Sequence, residues 1–163
     1  MIGKVSFRII DDGDKKYLQD LYADSREWEF AYSIWKPEEK TKFLNSQFEL
    51  QSVSYQMSYL TAVHRIIQLD GVDIGRLILN RADDHMHIID FTVHSQYQGR
   101  GIGSDILSAL QNEAQGGKVP ITLNVIENNP ALNLYLRKGF KKTGMNGHHI
   151  EMKWSPDLGP RHI

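Results

Sequence analysis

The sequence predicts a mixed α/β fold in one domain, and three observations carry that reading. The apolar period alternates along the chain between three-to-four and two. The middle holds three strand-like runs joined by tight turn dipeptides, the pattern of an antiparallel meander. The third of these runs then leads through a helical pattern into another strand, so those two strands can lie parallel with a right-handed crossover.

The elements follow in order. Residues 4–10, KVSFRII, read as a strand broken by DDGD. Asp14 is placed to cap a helix through Tyr17, Leu18, Leu21 and Tyr22, continuing irregularly to about Ile34. Pro37 suits the first turn of a second helix, PEEKTKFLNSQFELQSVSYQM, whose acids come first. Gln47, Gln51 and Tyr55 lie four apart and share one face of it. Residues 61–69 and 72–80 are strands around Asp70-Gly71, a hairpin dipeptide, and 85–93 is the third strand. Ile102, Ile106, Leu110 and Ala114 then form a helical stripe that should pack on the sheet, with Gly116-Gly117 as its end. Residues 119–126 are a buried-looking strand. A short helix follows, with Asn129 as cap, Pro130 in its first turn and Gly139 as its stop. FKKTGM and HHIEMKW are two strands around Asn146-Gly147, and about 155–163 is a polar, mobile tail.

Composition narrows the function. The chain has 163 residues, 40% hydrophobic and 24% charged, as expected of one globular domain, here 1–163. The formal net charge of -1 gives no support to a nucleic-acid or membrane-surface partner. The absence of cysteine removes disulfides, thiolate zinc sites and thiol nucleophiles. His148-His149 looks like a metal pair, but neighbouring strand residues point to opposite faces, so no metal is expected. The N-terminal apolar run is too short for a signal peptide and no segment approaches a membrane span, so the expected location is the cytoplasm.

Gly99, Gly101 and Gly103 sit at alternate positions just before a helix. A phosphate-binding P-loop needs GxxxxGK[ST], which the chain lacks. A dinucleotide fingerprint needs GxGxxG, but Ser104 takes the third glycine's place and no acid stands some twenty residues on. The spacing that fits is Gln98-x-x-Gly101-x-Gly103, joining a strand that ends at Val93 to a helix start. Free N–H groups and a partial positive charge at that helix end suit an anion, and glycine lets it come close. A diphosphate suits such a nest.

On these residues the chain resembles the GNAT-superfamily acetyltransferases. Gln98-x-x-Gly101-x-Gly103 is similar to their pyrophosphate-binding motif. Asn128 to Phe140, NNPALNLYLRKGF, is similar to their second signature, N-x-x-A-x-x-L-Y-x-x-x-G-F. The element order resembles that fold over about residues 4–154, with a central mixed, mostly antiparallel sheet flanked by helices. The resemblance implies an N-acetyltransferase that takes acetyl-CoA as donor. Gln98, Gly99, Arg100, Gly101, Ile102, Gly103 and Ser104 would grip its pyrophosphate, Val93 would hold the pantetheine arm, and Asn128 belongs to the second signature.

The implied chemistry is direct attack of a primary amine on the thioester. The acceptor is a small molecule, a protein N-terminus or a lysine. Tyr135 occupies the family position of the general acid that protonates the leaving thiolate; a phenol with an ordinary pKa of about 10 suits a thiol leaving group. His87, Asp90 and His94 stand as candidates for the base, unranked. Helical and loop residues Trp28, Phe30, Tyr32, Trp35, Gln51 and Tyr55 are candidate walls of the acceptor pocket, with Glu27 and Glu29 among them. Aromatic faces with carboxylates suit a cationic amine. A rival reading is a non-catalytic acyl-CoA sensor or scaffold of the same fold, and homodimerisation stays open.

Overall fold

The computed structural model describes residues 3–30 and 34–159. It contains strands β1 (Val5–Ile9), β2 (Val63–Leu69), β3 (Val72–Arg81), β4 (Met86–Val93), β5 (Ile121–Ile126), β6 (Lys141–Asn146) and β7 (His149–Trp154), and helices α1 (Lys15–Ser25), α2 (Pro37–Ser58), α3 (Ile102–Gly117) and α4 (Ala131–Arg137). The strands form one seven-stranded sheet in the order β1-β2-β3-β4-β5-β7-β6. The expected mixed α/β fold, with a mostly antiparallel sheet flanked by helices, is what the molecule has. Residues divide into two compact units, 1–78 with 90–98, and 79–89 with 99–163.

In the first unit β1 pairs antiparallel with β2, Val5 opposite Leu69 and Ile9 opposite Arg65. Asp70 and Gly71 both take positive φ, 50° and 82°, the geometry a two-residue hairpin between right-twisted strands requires. Leu18 and Leu21 of α1, Leu44 and Phe48 of α2, and Ile66, Ile67, Ile74, Leu77 and Ile78 of the strands are buried apolar residues of this unit. Leu18, Phe48 and Ile66 form one packed cluster, with Ile10 and Tyr22 against it.

Two expectations fail here for local reasons. Asp14 does not cap α1 with its side chain. Asp11 instead accepts from the Gly13 N–H, and the Asp14 carboxylate accepts from the Asp11 N–H, closing a capping box around a 3-10 turn. Both Asp14 oxygens also accept from the Arg8 guanidinium, at 2.8 and 2.9 Å, and this holds the carboxyl below its usual range. Nor does α1 run on toward Ile34. It stops at Ser25, and a 3-10 turn, Glu27–Phe30, follows. Residues 31–33, which include Tyr32, lie outside the described residues.

In the second unit β4 and β5 run parallel, Met86 opposite Ile121 and Ile88 opposite Leu123. β5 pairs antiparallel with β7, and β7 with β6, across a bulge between Lys142 and Gly144. The predicted α3 stripe is buried: Ile102, Ile106, Leu110 and Ala114, joined by Leu107. The glycine pair does not end this helix. α3 includes Gly116 and Gly117, and Lys118 takes the left-handed position at φ 57°. The Val119 N–H donates to the Ala114 carbonyl and the Lys118 N–H to that of Gln115, which is a Schellman stop. Beyond β7, Asp157 exchanges two bonds with the Gln115 side chain, which ties the tail to α3 at that point; residues 160–163 lie outside the described residues.

Candidate functional site

The end of β4 is built tightly. The His94 N–H donates to the Ile74 carbonyl at 2.7 Å. A Cβ added to Gly75 would lie 2.2 Å from the Thr92 carbonyl oxygen and 3.1 Å from the Val93 Cα, so only glycine lets β3 approach β4 this closely. Gln98 Nε2 donates to the Val93 carbonyl at 2.8 Å. The motif glutamine therefore braces the strand end, a role its spacing alone did not suggest. Just after β4, Asp24 accepts from both the backbone N–H and the hydroxyl of Ser95, at 2.8 and 2.6 Å, while His94 Nδ1 accepts from the Gln96 N–H.

In the second unit Gly99 and Gly101 have φ of 76° and 82°, the left-handed region that favours glycine. A Cβ at Gly99 would meet nothing within 4 Å, so conformation rather than crowding calls for glycine there. Gly101 is the N-cap of α3, and no side chain caps the helix. The first helical bond runs from the Asp105 N–H to the Gly101 carbonyl. The preceding amides, including those of Ile102, Gly103 and Ser104, have no intrahelical acceptor of that kind. They lie at the uncapped, positively polarised end of the helix.

Tyr135 lies on α4 and is 6% exposed. α4 starts at Ala131, so Pro130, not Asn129, is its N-cap; Asn129 Oδ1 still accepts from the Ala131 N–H at 2.9 Å from one residue before the cap, while Asn128 is exposed. α4 ends in a second Schellman stop: Gly139 at φ 86°, its N–H to the Leu136 carbonyl, and the Phe140 N–H to the Tyr135 carbonyl. The Tyr135 and Phe140 rings meet edge-on at 5.7 Å, the apolar contact that accompanies such a stop. The L-Y-x-x-x-G-F string is thus a helix terminator as well as a place for a phenol.

The three candidate bases sit in different surroundings. His87 Nδ1 is 2.8 Å from Thr122 Oγ1, and burial pushes its pKa down, so the ring is neutral at pH 7. His94 lies beyond the strand, its Nε2 3.6 Å from Asp24. Asp90 belongs to a buried polar group in the first unit. One of its oxygens accepts from Thr92 Oγ1 at 2.7 Å, and the other from Arg76 Nη2 and, at 3.5 Å, from the Tyr55 hydroxyl. Arg76 Nη2 also donates to Gln51 Oε1 at 2.6 Å, and its guanidinium lies over the Phe48 ring. Burial, with Asp90 beside it, pushes the Tyr55 hydroxyl well above its ordinary pKa. Burial, with Arg76 adding to it, pulls His64 down to about 4, and His64 Nε2 is buried without a partner among the described residues.

The fold therefore brings Gln51, Tyr55 and Asp90 together, as their helical spacing and strand position allowed. It adds Arg76 and His64, which the sequence reading missed. The signal for Arg76 was present: it is a lone charge inside the apolar strand run IGRLIL, and a buried charge must find a partner.

Trp28 and Phe30 are not in that group. Phe30, Trp35 and Phe43 pack on one another with ring centroids 5.0 to 6.1 Å apart. Their surroundings are already matched in charge. Lys40 lies over Phe30 and bonds Glu27; Arg26 lies over Tyr22 and Phe43 and bonds Glu29. Of the residues expected to meet a cationic acceptor, Glu27, Glu29 and the Phe30 ring are engaged by this chain's own cations.

Comparison with known proteins adds the following. Residues 61–142 match the family model described as "Acetyltransferase (GNAT) domain". That span contains the β4 end, the glycine turn, Asn128 and Tyr135. No curated protein sequence matches the chain. Among solved structures, the PaiA N-acetyltransferase of Thermoplasma acidophilum in complex with coenzyme A is similar at TM-score 0.68 and 19% identity, over 93% of this chain and 99% of that one. The ribosomal-protein-S18-alanine N-acetyltransferase of Escherichia coli gives 0.62 and 16%, over 98% and 99%. The yncA protein of Salmonella typhimurium, a putative acetyltransferase with its cofactor acetyl-CoA, gives 0.54 and 18%, over 99% of each chain. At these identities the likeness is one of fold.

Proposed function

The chain belongs to the GNAT acetyltransferase family, and on that premise we propose that it transfers an acetyl group from acetyl-CoA to a primary amine. The observation that carries the proposal is the glycine-shaped, uncapped N-terminus of α3, reached directly from the braced end of β4. Neighbours of the same fold that hold coenzyme A or acetyl-CoA support the donor.

In this reading the backbone N–H groups around Gly99 to Ser104 take the donor's diphosphate, with Arg100 adding charge. Val93 offers its backbone to the pantetheine amides, and the Gln98 brace fixes where that backbone lies. The amine nitrogen attacks the thioester carbon, and the carbon–sulfur bond breaks as the tetrahedral intermediate collapses. Tyr135 gives its phenolic proton to the departing thiolate. His87 takes the proton the amine must lose; it is neutral at pH 7, whereas the Asp90 carboxylate is already engaged by Arg76 and Thr92. Gln51 and Tyr55 would face the acceptor, which is a small amine, a lysine or a protein N-terminus; the E. coli enzyme named above acts on a protein alanine.

Calorimetric titration with acetyl-CoA tests this. Gly101→Ala and Gly101→Glu share the strain of a side chain at φ 82°, but only the glutamate repels a diphosphate. The proposal expects binding by the wild type and the alanine variant and its loss in the glutamate variant; a folded wild type that does not bind would overturn it. Free-thiol release with a panel of amines then separates an enzyme from a sensor. Tyr135→Phe keeps the ring contact with Phe140, so it should keep donor affinity and lose turnover, by roughly 10²–10⁴-fold for a lost general acid. A wild type that binds but turns over no amine would leave the sensor reading standing.

A further inference from the structure

Within the second unit, helix α3 holds the end of helix α4 at two points. Gln111 Nε2 donates to the Lys138 carbonyl at 2.6 Å, and Lys138 Nζ donates to Ser108 Oγ. Ser108 and Gln111 are three apart, so they share one face of α3. Lys138 directly follows the last residue of α4. One helix therefore grips a single residue of the other by both its backbone and its side chain.

That residue belongs to the stop that carries Tyr135. The Lys138 N–H donates to the Tyr135 carbonyl at 3.1 Å, and the Phe140 N–H donates to the same carbonyl at 3.0 Å. The peptide that Gln111 holds, between residues 138 and 139, lies between those two amides. Turning it would move Phe140, whose ring meets that of Tyr135 at 5.7 Å. Trp154 stands against the stop as well: a Cβ added to Gly139 would lie 3.5 Å from its Cδ1.

We infer that Gln111 is a positioning residue for the proposed transfer: through Lys138 it fixes Tyr135 relative to the N-terminus of α3. This rests on the reading above, with Tyr135 as the acid and that N-terminus as the site of the donor's diphosphate. At 1.5 Å per residue, Gln111 stands about 15 Å along α3 from Gly101. The helix that receives the diphosphate at its start thus carries the acid's helix on its third turn, and α3 is a ruler between the two. The proton must reach a sulfur whose place is set by the bound donor. A phenol displaced by about 1 Å would therefore cost up to roughly 100-fold in rate.

Gln111→Met removes the side-chain donor and keeps most of the volume. The test is free-thiol release from acetyl-CoA by the full chain, with the panel amine that the wild type turns over fastest. Gln111→Met should lower kcat by roughly 10–100-fold while the KM and calorimetric affinity for acetyl-CoA stay at the wild-type level. The Phe140 amide should exchange its hydrogen faster, and the Asp105 amide at the start of α3 should not. In the Tyr135→Phe background the same change should cost nothing more, because no acid is left to position. Gln111→Glu sets a carboxylate against the Lys138 carbonyl and should behave alike, so it serves if the methionine variant does not fold. An unchanged kcat, a fall repeated in full on top of Tyr135→Phe, or donor affinity lost along with kcat would each overturn the inference and leave the reading of Tyr135 standing. A Tyr135→Phe variant as fast as the wild type, or a wild type that turns over no amine, would overturn that reading and the inference with it.

Discussion

Replacing Arg76 with methionine removes the cation from a pair whose side chains are 5% and 11% exposed. Asp90 would keep the Thr92 hydroxyl and the distant Tyr55 hydroxyl, but no counter-charge. Gln51 Oε1 would lose the donor 2.6 Å away. Breaking a buried ion pair from one side costs about 3–5 kcal/mol. Methionine matches much of the arginine stem, so little of this is a packing defect. For a chain of this size each kcal/mol lowers Tm by about 2–4 °C, so the fall should be roughly 6–20 °C. The double variant Arg76→Met/Asp90→Leu removes both charges and should recover most of the loss. Urea denaturation of wild type, both singles and the double closes the cycle. A single-variant cost under about 1 kcal/mol at unchanged m would refute the reasoning. So would a double variant whose cost is the sum of the singles, since that would mean the two charges do not hold each other.

Two further perturbations have signed outcomes. His64 has an ordinary pKa of 6.5 and a folded value of about 4, so the unfolded chain binds its proton first. Its contribution to stability is fully present above pH 6.5, falls as pH drops from 6.5 through 4, and is flat below. The full shift would correspond to about 3 kcal/mol; with the ring partly exposed, about 2 kcal/mol is expected. Subtracting the denaturation profile of His64→Gln from that of the wild type isolates this slope, and a pH-independent difference would contradict it. Gly75→Ala puts a Cβ 2.2 Å from a backbone oxygen that no rotamer change can move. It should cost about 1–3 kcal/mol and, by shifting the end of β4, weaken acetyl-CoA binding; an alanine tolerated within a few tenths on both measurements would mean that the strand yields freely.

Much of the fold was legible because its signals are local. Asp70-Gly71 and the α3 stripe each state a backbone angle or a buried face within a few residues. The misreadings come from competition between neighbours. Asp14 looked like a helix cap because the sequence does not show Arg8 reaching it across a turn. Gly116-Gly117 looked like a stop, but the paired bonds that close α3 fall one residue later, on Lys118. At the candidate site, the glycine turn and the phenol helix were legible as motifs. The brace from Gln98 to Val93 was not, since a glutamine in an anion motif invites a ligand rather than a strand carbonyl. The Arg76 group needed the third dimension: Gln51, Tyr55, Arg76 and Asp90 come from a helix and two strands, and only Gln51 and Tyr55 share a periodicity.

The stop that ends α4 bears on the role proposed for Tyr135. Tyr135 is fixed at both ends of its residue, by its carbonyl receiving the Phe140 N–H and by its ring meeting the Phe140 ring. Both constraints belong to the helix stop and need no donor. In the proposed reaction the phenol is therefore held by the fold itself, in the sense of a preorganised group. Loosening Gly139, which lies far along the chain from the glycine turn, should then slow proton delivery while leaving the donor's diphosphate held as before.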